Sequence, residues 1–309
     1  MIKKIAVIGS GVMGCGIAQS FAAQGYPVAI NDIKQEFLDK AKQTISSQLD
    51  FLVRFGSISM KQKSEALTRC SFTTNLEQAV KDADWVIEAI PEVIEMKWSL
   101  YEKLNKLAAT DAILSSNTST FPLSLLIKPI TQRSRFFITH FFNPAHLVPL
   151  VEIVKGETTD TVQVDEVVRM LKEAGKQPVL LKKEVNGFIA NRLQTALMRE
   201  AFALISQGVA DPQDVDRAVT EGIGFRWAFL GPTRIADLGG LDTWKRVFDN
   251  IAPDLDKSTG APELINQQVA AHLLGAKTGK GLYDYDGETV HRILEERDQA
   301  FVQLAKAKS

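Results

Sequence analysis

The sequence predicts an α/β fold, in which a Rossmann-type, mostly parallel sheet is followed by a second, all-helical domain. Over residues 1–184, short β-branched runs alternate with helical patterns, and the first run ends in a glycine-rich turn. From residue 185 to residue 309, apolar residues follow helical spacing and strand-like alternation does not recur. We therefore predict a sheet domain over residues 1–184 and a helical C-terminal domain over residues 185–309.

The composition is that of an ordinary globular protein and narrows the function classes. The chain has 309 residues, is 45% hydrophobic and carries a formal net charge of -1, which argues against a general nucleic-acid binder. Two cysteines without ligand spacing predict neither a disulfide framework nor a metal site. The first apolar run is too short for a signal peptide or a membrane span, so we expect a cytoplasmic protein without a membrane partner.

The first strand leads into a motif typical of dinucleotide binding. Residues Ile5–Ile8 precede G-S-G-V-M-G, a helical pattern follows, and the next apolar run closes on Asp32. Glycines let backbone N–H groups approach a pyrophosphate at a helix N-terminus, while the acid accepts from a ribose hydroxyl. NAD is favoured over NADP because no arginine follows Asp32, although Lys34 lies two residues on. The predicted cofactor residues of this motif are Gly9, Gly11, Val12, Met13, Gly14 and Asp32.

Later strands of the first domain also end in polar residues. The strand W-V-I-E-A-I ends before Glu92, with Lys97 in the next helix, and another strand ends in S-S-N-T-S-T, which contains Asn117 and Ser119. Open α/β sheets bind ligands at the carboxyl ends of their strands, so these four residues are candidate cofactor or substrate contacts. Glu88, inside the strand, fits a structural role equally well.

The stretch from Ile138 to Val154 pairs a histidine with a carboxylate. His140 ends one apolar run, Glu152 lies in the next, and the turn-forming pair Asn143-Pro144 separates them. A chain that reverses at this turn brings the two side chains into contact, and a carboxylate orients a histidine for acid–base chemistry. A purely structural histidine is the alternative, since a lone histidine near buried strands often has that role.

The second domain is predicted to begin with a long helix that Asn186-Gly187 opens. Asn191 lies in its first turns, where an amide either binds a substrate oxygen or makes a hydrogen bond between helices. The many apolar helical faces of residues 185–309 make a homodimer through this domain the expected assembly.

Together these motifs resemble the 3-hydroxyacyl-CoA dehydrogenase family over almost the whole length. The resemblance rests on V-I-E-A-I-P-E (86–92), S-N-T-S (116–119), H-F-F-N-P (140–144), L-V-E-I-V (150–154), N-G-F-I-A-N-R (186–192) and K-T-G-K-G-L-Y (277–283). It implies NAD as cofactor, His140 as the catalytic base and Glu152 as the acid that orients it. It further implies that Ser119 and Asn191 hydrogen-bond the reacting oxygen, with Glu92 and Lys97 near the nicotinamide ribose; Asn143 is a further predicted substrate contact.

The resemblance leaves the substrate open between two classes. Family members that use CoA tend to carry a lysine in the helix after Asp32, and Arg54 is the nearest cation in this chain. R-W-A-F-L-G-P is similar to relatives that oxidise free 3-hydroxy acids, such as L-gulonate or carnitine, whereas the Phe-Phe of H-F-F-N-P favours a short-chain 3-hydroxyacyl-CoA. The thioester is the preferred prediction, and the free acid is the alternative. A structural protein without turnover is a more remote one.

Overall fold

A computed structural model describes residues 2–308 of the protein. The chain divides into two compact units between Ile189 and Ala190. The predicted boundary, between residues 184 and 185, lies five residues earlier. The added residues belong to the first unit because Phe188 is buried in its core and the amide of Ile189 donates to Glu152.

An eight-stranded sheet forms the centre of the first unit, in the order β3-β2-β1-β4-β5-β6-β7-β8. All neighbouring strands are parallel except β6 and β7, which pair antiparallel. This confirms the predicted mostly parallel α/β fold. The strands are β1 (Ile5–Ile8), β2 (Val28–Asn31), β3 (Cys70–Thr73), β4 (Trp85–Glu88), β5 (Ile113–Ser116), β6 (Phe136–Phe141), β7 (Leu150–Val154) and β8 (Gln177–Leu181).

Helices cover the sheet and bury its strands. The central strands β1, β4, β5 and β6 are buried at every position, as expected for parallel strands with both faces covered. Two apolar clusters form the core of this unit. The helices are α1 (Val12–Ala23), α2 (Gln35–Arg54), α3 (Met60–Arg69), α4 (Leu76–Val80), α5 (Ile94–Leu107), α6 (Leu123–Leu126) and α7 (Thr161–Glu173).

The second unit is helical, as predicted, and has little interior of its own. Among its described residues only Val215 and Val302 are buried. A π-helical segment, Val219–Ile223, separates two of its helices. The helices are α8 (Ala190–Ser206), α9 (Pro212–Ala218), α10 (Gly224–Trp227), α11 (Pro232–Gly239), α12 (Leu241–Ile251), α13 (Glu263–Ala270) and α14 (Gly287–Lys308).

The predicted start of the long helix at Asn186-Gly187 is wrong. Residues 186–189 form a turn, and α8 begins at Ala190. Gly187 and Phe188 both have positive φ, +74° and +52°, a conformation incompatible with a right-handed helix. Within residues 2–308, no helix has the length and apolar character needed to cross a bilayer.

Candidate active site

Most of the predicted site residues lie at one edge of the sheet. Gly9, Asp32, Glu92 and Asn117 follow the ends of the parallel strands β1, β2, β4 and β5, and His140 lies one residue before the end of β6. The carboxyl ends of parallel strands lie at the same edge, so the fold gathers residues that are up to 131 positions apart. This edge is the candidate active site.

The glycine loop between β1 and α1 is tightly packed at two of its three glycines. A Cβ at Gly14 would lie 1.8 Å from the carbonyl oxygen of Gly9, and a Cβ at Gly9, whose φ is +102°, would lie 2.5 Å from that of Ala89. A Cβ at Gly11, by contrast, would meet no atom within 4 Å. The space beside Gly11, at the N-terminus of α1, fits a pyrophosphate. Val12 is exposed and Met13 is partly buried in the first turn of that helix.

Asp32 is held by the glycine loop itself. Its Oδ2 atom accepts from both the amide and the hydroxyl of Ser10, each at 2.7 Å, and its Oδ1 atom accepts from the amide of Ile33. These bonds fix the carboxylate where the motif requires an acceptor for a ribose hydroxyl. Ser10 was not among the predicted site residues, because the middle position of a Gly-x-Gly pair carries no such signal.

His140 and Glu152 are directly opposed on the antiparallel strands β6 and β7. The Nδ1 atom of His140 lies 2.9 Å from Oε2 of Glu152, and both side chains are buried. An ionised carboxylate only accepts hydrogen bonds, so Nδ1 carries the proton and Nε2 is left with its lone pair. The predicted contact between these residues is present, in a geometry suited to a general base.

Two aromatic residues and a backbone amide complete the surroundings of the pair. The ring of Phe142 lies 4.7 Å from the His140 ring, between centroids, and that of Phe188 lies 5.4 Å away. The amide of Ile189 donates to the second oxygen of Glu152 at 2.9 Å. The motif Asn-Gly-Phe-Ile therefore contributes Phe188 and Ile189 to the site, which sequence reasoning missed because it assigned the segment to a helix.

The two predicted asparagines of this edge have different surroundings. The side-chain oxygen of Asn117 accepts from the amide of Phe141 at 2.8 Å, which joins the ends of β5 and β6 beside His140. Asn143 is exposed and precedes Pro144 through a cis peptide bond. The roles of Asn117 toward the cofactor and of Asn143 toward the substrate stay predictions.

Glu92 organises the loop that contains Ser119. Its Oε1 atom accepts from the hydroxyls of Thr118 and Thr120 and from the amides of Ser119 and Thr120, both at 3.2 Å. Burial alone would raise the pKa of Glu92, but the hydrogen bonds from Thr118 and Thr120 and the charge of Lys97 hold it below its ordinary value. Glu92 is therefore an anion that fixes the backbone on both sides of Ser119.

Ser119 and Asn191 are the residues predicted to hold the reacting oxygen. Ser119 is partly buried in this loop at the sheet edge. Asn191 is the second residue of α8 and is likewise partly buried, in the second unit. The contact of both with a substrate oxygen stays a prediction from the resemblance. Among residues 2–308, no group of three or more His, Cys, Asp and Glu side chains is arranged to hold a metal ion.

A buried lysine fastens the loop that follows His140. Lys176 donates from Nζ to the carbonyl oxygens of Ala145 at 2.5 Å and Val148 at 3.2 Å, both in the connection between β6 and β7. Its residue is only 5% exposed, and burial lowers its pKa from 10.5 to about 8. No motif in the sequence pointed to this residue, since its acceptors are main-chain atoms about 30 positions away.

The shifted pKa of Lys176 predicts a pH-dependent stability. Because its folded-state pKa lies below its unfolded value, the free energy of unfolding should rise between pH 8 and pH 10.5 and gain nothing from this group below pH 8. The free energy of unfolding of the wild type, measured relative to that of Lys176→Met, should rise by about 2 kcal/mol between about pH 8 and about pH 10. Urea unfolding of both proteins at one protein concentration measures this difference. A fall in this difference over the same pH range would contradict the lowered pKa of Lys176.

Both units of the chain match domains of one known protein family. The NAD-binding domain of 3-hydroxyacyl-CoA dehydrogenases matches residues 4–185, and their C-terminal domain matches residues 187–285. The chain belongs to the 3-hydroxyacyl-CoA dehydrogenase family. It is therefore an NAD-dependent oxidoreductase, as the sequence predicted. When bound, NAD supplies the hydride acceptor, and the glycine loop with Asp32 fits that cofactor.

Individual relatives of the family differ in how much of this chain they match. The 5-formyl-3-hydroxy-2-methylpyridine 4-carboxylate 5-dehydrogenase of Mesorhizobium japonicum is 33% identical, with 99% of this chain and 98% of the relative covered. The L-carnitine dehydrogenase of Streptomyces coelicolor is 33% identical, with 99% and 95% covered. A probable 3-hydroxybutyryl-CoA dehydrogenase of Deinococcus radiodurans is 36% identical, with 91% and 100% covered.

Solved structures show the same difference. The crystal structure of the pyridine-carboxylate dehydrogenase, described as an NAD⁺-dependent dismutase, superimposes with a TM-score of 0.93 at 32% identity and covers 100% of this chain and 99% of its own. That of (S)-3-hydroxybutyryl-CoA dehydrogenase from Ralstonia eutropha has a TM-score of 0.77 at 31% identity, with 93% and 100% covered.

Proposed function

We propose that the protein is an NAD-dependent dehydrogenase of a small free hydroxy acid and that its substrate is not a CoA thioester. The observation that carries this proposal is the full-length likeness, with a TM-score of 0.93, to a dehydrogenase whose named substrate is a pyridine carboxylate. The carnitine dehydrogenase match supports it, since that name likewise contains no coenzyme A. Two dehydrogenases named for CoA thioesters match 91% and 93% of the chain. A third, from Archaeoglobus fulgidus, covers 98% of it but superimposes less closely, with a TM-score of 0.68.

The last helix lies outside the two matched domains of the family. The matches to the family's two domains end at residue 285, whereas α14 begins at Gly287 and contains 22 residues. Four relatives named as acting on CoA thioesters leave 8 or 9% of the chain unmatched, whereas the 3-hydroxyacyl-CoA dehydrogenase of Archaeoglobus fulgidus leaves 2%. The last helix therefore does not by itself separate the two substrate classes.

Phe141 and Arg54, which entered the prediction of the substrate, both have contacts of their own in the structure. Phe141, the first phenylalanine of H-F-F-N-P, is buried and packs edge-on against Phe21, 6.2 Å away between centroids. It therefore serves the core, whereas the second phenylalanine, Phe142, lies beside His140. The guanidinium of Arg54 lies over the rings of Phe51 and Phe55, at 5.5 and 5.0 Å, at the C-terminal end of α2. The short-chain CoA thioester stays the second candidate.

His140 and Glu152 carry the proposed acid–base chemistry. In oxidation, Nε2 of His140 takes the proton of the substrate hydroxyl, and the charge of Glu152 stabilises the imidazolium that forms. In reduction, the same nitrogen returns that proton to the developing alkoxide. Ser119 and Asn191 are proposed to hold the oxygen, so that they act by orientation and by stabilising its charge. The intact set of four argues against a structural protein without turnover.

Steady-state NADH formation tests the substrate class. We expect kcat/KM for at least one of L-carnitine, L-gulonate and 3-hydroxybutyrate to exceed that for (S)-3-hydroxybutyryl-CoA by ~10-fold or more, since a site built for one substrate leaves groups unpaired with another. Arg54→Ala should leave turnover of the free acid within ~2-fold, and added coenzyme A should not compete with it. Efficient turnover of the thioester, raised in KM by Arg54→Ala, would establish the second candidate instead.

We further propose that the protein is a homodimer through its second unit. Large apolar side chains of α10 to α12 are exposed, including Phe225 at 67%, Leu238 at 72% and Phe248 at 62%. A unit with only two buried residues among those described needs another surface to cover this apolar area, and a second copy offers one. Sedimentation equilibrium should give twice the chain mass of 34.1 kDa; a monomer at micromolar concentration would refute the proposal. The cytoplasmic location stays a prediction.

A further inference from the structure

A buried anion lies behind the Ser119 loop. Glu88, the last residue of β4, is 1% exposed, and its carboxylate accepts four hydrogen bonds. Lys97 and the amide of Ile90 donate to Oε1 at 2.6 and 2.9 Å, while the hydroxyls of Tyr101 and Ser116 donate to Oε2 at 2.6 Å each. So many donors hold the carboxylate in a single orientation and stabilise its charge. Burial and then proximity to this anion raise the pKa of Tyr101 well above its ordinary value.

Lys97 connects this anion to the active site. Its side chain is 1% exposed, and Nζ lies 2.6 Å from Glu88 and 3.2 Å from Oε2 of Glu92. Glu92, with 34% of its side chain exposed, binds through its other oxygen the amides of Ser119 and Thr120. An unbroken series of contacts therefore runs from the interior of the sheet to the backbone of the predicted catalytic serine.

We propose that Glu88 is a positioning residue, which, with Tyr101 and Ser116, sets the place of Lys97 and thereby that of Glu92 and the Ser119 loop. A buried ammonium between two carboxylates takes its position from both. Without the charge of Glu88, Lys97 has only Glu92 to neutralise it and moves toward that side chain. Glu92 then moves away from the amides of Ser119 and Thr120, and the loop changes its position at the sheet edge where NAD is expected to bind.

The proposal rests on the proposed roles of Ser119, Glu92 and Lys97. Its consequence for NADH binding can be measured without a substrate. A cluster that serves only to stabilise the fold would lower the melting temperature of variants and leave the properties of the folded protein unchanged. A positioning role instead changes NADH binding and kcat in the folded protein, with a smaller effect on KM for the alcohol. Fluorescence titration with NADH separates these outcomes whatever the substrate proves to be.

Tyr101→Phe is the mildest test, because it deletes one hydroxyl and keeps the ring that packs edge-on against Phe136. We expect Kd for NADH to rise ~3- to 10-fold in this variant and at least ~10-fold in Glu88→Gln, as for the loss of a hydrogen bond to a charged group. The matched control is Tyr26→Phe, which removes a tyrosine bond to Glu173 at 3.2 Å in the same unit. It should leave Kd within ~2-fold.

Three variants of the Glu88 cluster and one control variant decide the proposal. Suppose that Tyr101→Phe and Ser116→Ala fold, bind NADH with the wild-type Kd and have the wild-type kcat. Glu88 then has only a structural role, and the proposal is overturned. This conclusion holds even if Glu88→Gln does not fold. If they weaken NADH binding while Tyr26→Phe does not, the positioning role stands. A failure of the free-acid proposal would appear in the choice of substrate and would leave the NADH titrations unaffected.

Discussion

Replacement of His140 by asparagine is expected to lower kcat by ~10²–10⁴-fold, the range over which a general acid–base group contributes. Asparagine keeps a polar group beside Glu152 but has no basic nitrogen at the Nε2 position. Binding of NADH should stay within ~2-fold, since His140 is not part of the glycine loop. Steady-state kinetics with the preferred substrate and NADH titration measure the two quantities.

Glu152→Gln provides the matched test of the pair. A glutamine nitrogen facing Nδ1 donates a hydrogen bond, which places the imidazole proton on Nε2 and removes the lone pair that accepts the substrate proton. We therefore expect a loss of ~10²-fold or more, and the double variant should be no slower than His140→Asn alone, because Glu152 acts through His140. His291→Asn, an exposed histidine of α14, is the control. Retention of a third of wild-type kcat in His140→Asn would refute the assignment.

Alanine at Gly14 should lower the stability of the protein, whereas alanine at Gly11 should leave stability unchanged and weaken NADH binding. The Cβ at position 14 would lie 1.8 Å from the carbonyl oxygen of Gly9, a main-chain atom that cannot move aside without distorting the loop. Gly14→Ala should therefore lower the free energy of unfolding by about 3 kcal/mol or more. Gly11→Ala, with no atom within 4 Å of its Cβ, should leave the stability of the free protein unchanged.

The Gly11→Ala variant should differ from the wild type in its affinity for NADH. At position 11 the added methyl occupies the space in which the backbone meets the pyrophosphate, so Kd for NADH should rise by ~10-fold or more. Thermal unfolding without cofactor and NADH titration of both variants measure these effects. The control is Gly287→Ala, at the start of α14, where the Cβ is likewise unobstructed. Gly11→Ala that binds NADH like wild type would place the pyrophosphate elsewhere.

Local patterns predicted the parts of the fold that depend on neighbouring residues. The strand, glycine turn, helix and acid at residues 5–32 follow from spacing alone, because phosphate binding demands that local backbone. The contact of His140 with Glu152 was also predictable, since a reversal of the chain between two strands brings opposed residues together. The predicted start of α8 was wrong because the positive φ of Phe188 is imposed by its tertiary surroundings, not by its own preference.

The sequence by itself predicted the cofactor and the contact of His140 with Glu152, because both depend on residues that are close along the chain or joined by a single turn. The reaction class followed from the resemblance to the family, and the acid–base roles of the two residues stay a prediction. Only the tertiary structure decided which side chains support them. Tyr101, Ser116 and Lys97 meet at Glu88 because strand order and helix packing bring them there, across 9 to 28 positions. Lys176 holds its loop through carbonyl oxygens that no side-chain pattern marks. Contacts of this kind depend on long-range packing. The residues that support the candidate active site could therefore be identified only from the tertiary structure.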